Sequence, residues 1–155
     1  MKIQFTQKRV KLLRVVVALI AISVAGTVAY AATQLTIQNN SSVSIPVTNL
    51  FAVTTGVTGT TNCATASGYS DNGLGITWAA VSQGGTVSAN ICLKNAGTGI
   101  DTLGFAPSQL PTGVTFSTTS QGASLASGAS VNAQLTLAAM SSATSGRFSF
   151  VLTIS

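Results

Sequence analysis

"GGTVSANICL" (residues 84–93) and "GASVNAQLTL" (residues 128–137) follow one pattern: Gly, any, Ser or Thr, Val, any, Ala, any, Ile or Leu, any, Leu. In the first, Val87, Ala89, Ile91 and Leu93 fall on alternate positions, and in the second Val131, Ala133, Leu135 and Leu137 do. A period of two belongs to a strand with one face against a core. The leading glycine supplies the turn into each strand. Two copies do not make a solenoid, so the repeat reads as equivalent strands of one sandwich.

Outward from this pair, the same grammar recurs. "TNLFAV" (48–53), "ITWAAV" (76–81), "DTLGFA" (101–106), "GVTFS" (113–117) and "RFSFVLTIS" (147–155) are short apolar or alternating runs, most of them bounded by Gly, Pro, Asn or Ser. The last points Phe148, Phe150, Leu152 and Ile154 to one side. Near the other end Leu35 and Ile37, then Val43, Ile45 and Val47, keep odd parity, with Asn39-Asn40-Ser41-Ser42 interrupting them. Pro46 lacks a ladder donor and marks that strand as an edge. Residues 54–75 form the longest loop. The expected fold is all-β, an antiparallel immunoglobulin-like sandwich.

Ahead of this domain stands a leader. Lys2, Lys8, Arg9, Lys11 and Arg14 precede an apolar core at residues 15–22 and a small-residue exit, Ala29-Tyr30-Ala31. That is the layout of a signal peptide, and it places export and cleavage before Ala32. A retained membrane anchor over residues 15–32 is the competing reading. Pilin-type cleavage before the apolar run lacks the small residue it needs at Arg14-Val15.

Without the leader the charge disappears. The whole chain carries 7 Lys and Arg against 2 Asp, but beyond residue 31 only Lys94 and Arg147 face Asp71 and Asp101. Nucleic-acid binding is unsupported, because no basic patch remains to neutralise phosphates. Near-zero net charge instead favours self-association.

Chemistry is as sparse as charge. The chain has no His and no Glu, which removes an ordinary catalytic triad, a histidine-containing zinc site and a glutamate acid/base pair. No enzyme activity, metal or cofactor is expected. Asp71 and Asp101 read as turn formers, "KNAGTG" (94–99) as a strand end entering a turn rather than an isopeptide lysine, and Trp78 as core rather than a sugar platform. Cys92 has the parity opposite to Ile91 and Leu93, so it faces away from the core; an exported chain with one cysteine pair is expected to bond it to Cys63. That bond would staple the long loop to the outer face. Asn39 and Asn40 head two overlapping Asn-x-Ser sequons in a polar stretch, a candidate glycosylation site or a solvated turn.

The order of Trp78, Gly85-Thr86-Val87, Lys94-Asn95-Ala96-Gly97, Leu110-Pro111-Thr112-Gly113-Val114, Leu135-Thr136-Leu137 and the terminal aromatic-aliphatic strand resembles the sandwich subunits of archaeal surface filaments. These are the threads and bundling pili, with a more distant likeness to camelysin-type fibre proteins of bacterial biofilms. The resemblance implies that the N-terminal strand of one subunit completes the sandwich of the next. The donor would be Thr33, Gln34, Leu35, Thr36, Ile37 and Gln38, with Leu35 and Ile37 entering the groove and residues 39–42 as connector. The chain then divides into a signal peptide (1–31), donor strand and connector (32–42) and sandwich (43–155). Its partners would be identical subunits in a head-to-tail extracellular filament, with cell surfaces or glycans as adhesion targets. The alternative is a monomeric surface or carbohydrate-binding module, secreted or membrane-anchored, whose first strand stays in its own sheet.

Overall fold

The computed structural model describes residues 36–47 and 49–155; the expected leader and cleavage site, and Thr33, Gln34 and Leu35 of the expected donor strand, lie outside them. Among the described residues there are strands and no helix, and so no helix long and apolar enough to cross a membrane. In chain order the strands are β1 (Thr36–Ser44), β2 (Leu50–Val53), β3 (Leu74–Thr77), β4 (Val81–Ser82), β5 (Thr86–Asn95), β6 (Asp101–Thr102), β7 (Phe105–Pro107), β8 (Val114–Thr118), β9 (Ser124–Leu125), β10 (Ser130–Ala139) and β11 (Gly146–Ile154).

The two echoing segments are β5 and β10, and they lie side by side. They pair antiparallel, Leu93 opposite Val131, Ile91 opposite Ala133 and Ala89 opposite Leu135. Each is entered through the equivalent glycine in a left-handed conformation, Gly84 at φ 74° and Gly128 at φ 71°, where any other residue would be strained. With β2 and β8 outside them they make one four-stranded sheet, order β2-β5-β10-β8.

The second sheet runs β3-β1-β11-β7, with β4 also on β1. Here β1 and β11 run parallel, from Ile37 opposite Gly146 to Ser44 opposite Thr153, which departs from the wholly antiparallel expectation. Parallel neighbours need a long crossover, and the entire domain lies between these two strands. A small pair, β6 with β9, completes the pattern.

Both sheets contribute to one buried cluster. Leu50, Ile91, Leu93, Leu135 and Leu137 come from the first, Val43, Ile76, Phe150, Leu152 and Ile154 from the second, with Trp78 in the same cluster. Each large apolar side chain withdrawn in this way contributes roughly 1.5–3 kcal/mol.

Several expectations need correction. Asn39 to Ser42 do not interrupt the first strand: they are strand residues, paired in register with Phe148 to Val151. Pro46 lies in the connection between β1 and β2, and the strand before it is interior rather than edge. "ITWAAV" divides into β3 and β4 around Trp78, "DTLGFA" divides into β6 and β7, and β9 had no sequence signal.

Candidate functional site

The seat of the first strand is the feature with most bearing on function. On one side β1 pairs with β11 along almost its whole length; on the other, Asn40 to Val43 pair antiparallel with Thr77 to Leu74, and Thr36 and Ile37 with Ser82 and Val81. Both backbone edges are therefore occupied. Without β1, two rows of unpaired backbone groups would open at once, a template for any extended chain.

Within the seat, the buried side of β1 is part polar. Val43 is 5% exposed and Ser41 only 4%. The hydroxyl of Ser41 accepts a hydrogen bond from Trp78 Nε1 at 3.1 Å. Trp78 follows the last residue of β3 and keeps the parity of Ile76, which turns its ring into the core. The indole lies 6.3 Å from the ring of Phe150, and Phe148 lies 6.2 Å beyond that. A large ring with one donor fits a core only where that donor meets an acceptor, and Ser41 provides it.

The opposite side of β1 faces outward with Asn40, Ser42 and Ser44 exposed. An open cleft of about 600 Å³ runs along Asn40, Thr77, Arg147 and Ser149. Of the two sequons, the one headed by Asn40 has both its amide and its hydroxyl residue, Ser42, exposed, whereas Ser41 of the Asn39 sequon is buried. Of the residues expected to form a donor strand, Thr36, Ile37 and Gln38 open β1, opposite Ser82, Val81 and Arg147 respectively.

The expected disulfide is present. Cys63 and Cys92 are bonded, with Cα atoms 5.3 Å apart. They form a small cluster with Val53, flanked by Val57, Ala66 and Tyr69, separate from the main core. The long loop, residues 54–73, is fastened at further points. Tyr69 donates its hydroxyl to Cys63 O at 2.7 Å, and Asn132 Nδ2 donates to Thr58 O and Thr61 O at 2.8 and 3.2 Å. The Lys94 ammonium stands 5.9 Å from the centre of the Tyr69 ring, within cation–π range. Burial raises the Tyr69 hydroxyl above its ordinary pKa, partly offset by a hydrogen bond from Ser130.

Asp71 accepts from Asn72 Nδ2 at 3.0 Å in the expected turn. Asp101 departs from expectation: it lies in β6, with one buried carboxylate oxygen lacking a partner. Among the described residues no group of three or more His, Cys, Asp or Glu could hold a metal ion.

Two residues escaped the sequence reading. Asn95 is fully buried and stitches the end of β5: its Nδ2 donates to Gly99 O and Leu125 O, each at 2.9 Å, while its Oδ1 accepts from Gly97 N at 2.8 Å. The other is Ser41. Parity was the available signal, Asn95 with Ile91 and Leu93, Ser41 with Val43. Compared with known protein families, curated proteins and solved structures, the chain matches none.

Proposed function

We propose that this protein is an exported structural subunit of an extracellular filament, an immunoglobulin-like sandwich whose first strand is supplied to the next copy. One observation carries the reading. The first described strand is an interior strand, bonded on both edges, and among the described residues it joins the other strands through residues 45–49. The ladder bonds of β1 are the same whichever copy provides them, so exchange between copies conserves them. A head-to-tail contact of this kind is heterologous and builds a fibre when its rotation does not close a ring. The donor then extends from the predicted residues 33–38 through Ser44, and the link between subunits moves from residues 39–42 to residues 45–49. The leader acts as a signal peptide, and a disulfide suits the oxidising compartment beyond it. Near-neutral charge offers no repulsion to assembly.

A monomeric surface module is the second reading. Ile45, buried at 9% exposure immediately after β1, favours it, because that residue anchors the strand to its own domain. Concentrated protein beginning at Ala32, viewed by negative-stain microscopy, separates the two. Filaments from this chain, and none from a chain beginning at Ile45, are the expected result. Filaments of equal length from both chains, or none from either, would reject strand exchange.

A further inference from the structure

Apolar pattern alone is a poor guide to where β1 should sit. Its middle, residues 39–42, is Asn-Asn-Ser-Ser, and register is weakly specified in a strand so polar. A slip by one residue turns every side chain to the other face. A slip by two keeps the faces and brings either Asn39 or Val43 to the position of Ser41. The evenly spaced bonds of a parallel ladder form equally well after such a slip, so the backbone does not choose.

The buried pair of Ser41 and Trp78 does. Each is only 4% exposed, they are 37 residues apart in sequence, and Ser41 stands opposite Phe150 in the ladder. Valine at that position would offer no acceptor, stranding the indole N–H in the core, and would add branched bulk beside two rings. Asparagine would offer an oxygen but bring two amide donors that need partners. Serine is small enough for the space and has the acceptor.

We propose that Trp78 is the register key of the first strand: its buried indole N–H reads a serine at position 41 and so excludes two-residue slips against β11. The inference holds whether β1 comes from the same copy or from the next. Its test is therefore independent of the filament reading.

Paired cysteines placed on the exposed face report the register in the chain from Ala32 onward. Ser42→Cys with Val151→Cys joins residues that are opposite in the observed register. Asn40→Cys with Val151→Cys reports the slip that brings Asn39 to Trp78. Ser42→Cys with Ser149→Cys reports the slip that brings Val43 there. Slipped pairs are diagonal neighbours, about 8 Å apart at Cα in the observed register from the strand rise and spacing, too far for a disulfide. With Ser41 and Trp78 intact, peptide mapping should find the first pair bonded and the other two free. In Ser41→Ala the ratio of in-register to slipped bonding should fall by roughly tenfold or more. The gain should favour the Asn40 reporter, because Asn39 then supplies the missing acceptor. Trp78→Phe should lower the ratio without that preference. A purely structural role predicts lower stability with the first pair still bonding alone in both variants, and that result would overturn the proposal. Should Trp78→Phe not fold, Ser41→Ala, which removes a single oxygen atom, decides by itself.

Discussion

Asn95→Ala should destabilise the domain by about 3–5 kcal/mol, more than an exposed polar substitution by an order of magnitude. Asn95 is completely buried and its side chain serves Gly97 N, Gly99 O and Leu125 O together. Its backbone is engaged as well, donating to Ala129 O and accepting from Gly128 N. The residue thus ties β5 to β9 and to the turn that leads into β10. Alanine would leave one donor and two acceptors without partners, the buried Leu125 O at the full cost of roughly 1–3 kcal/mol and the groups of half-buried Gly97 and exposed Gly99 at less, since water reaches them. Asn95→Asp should be at least as damaging, since it sets a carboxylate against two carbonyl oxygens. Urea unfolding followed by the fluorescence of Trp78, the single tryptophan, measures both. A loss below about 1 kcal/mol for alanine would mean that the turn is held by its backbone alone.

Removing the disulfide should have the next largest effect. Cys63 and Cys92 are 29 residues apart, and restricting an unfolded loop of that length is worth roughly 3–4 kcal/mol. Cys63→Ala with Cys92→Ala should lower stability by about that amount and release residues 54–73. Without the bond, the loop keeps the Asn132 and Tyr69 contacts, the Ala52–Ser70 bridge and the packing of Val57 and Ala66 near Val53. Limited proteolysis should then cut within residues 54–73 while β5 and β10 stay intact. Cleavage spread evenly across the domain would contradict a loop stapled onto an otherwise independent sheet.

How much of this was legible in the sequence depended on whether the signal was local. β5, β10 and β11 announce themselves by alternation, and Cys92 by breaking parity with Ile91 and Leu93. Their information lies within a single strand. β1 hid in plain view because Asn39 to Ser42 look like a solvated gap. The burial of Ser41 within that stretch is compensated by one distant donor, Trp78, which no local window contains. The parallel pairing of β1 with β11 was equally out of reach, since it joins the two ends of the domain. Asn95 could have been found: its parity places it inward, and a buried asparagine at a strand end implies a turn organised around it. The alternation of Leu35 and Ile37 suggested a leading strand, whereas the proposed exchange of that strand between copies and the filament rest on the resemblance.

The central claim is that β1 occupies the sheet of another copy. The Ser42→Cys, Val151→Cys chain tests it most directly, because these positions are opposite in the ladder and exposed, while both native cysteines are already bonded to each other. Assembled protein is oxidised, unfolded in detergent and separated by non-reducing electrophoresis. Strand exchange predicts a covalent ladder of dimers, trimers and longer chains that collapses to monomer on reduction. A single monomer band whose cysteines are joined within one chain would contradict the account.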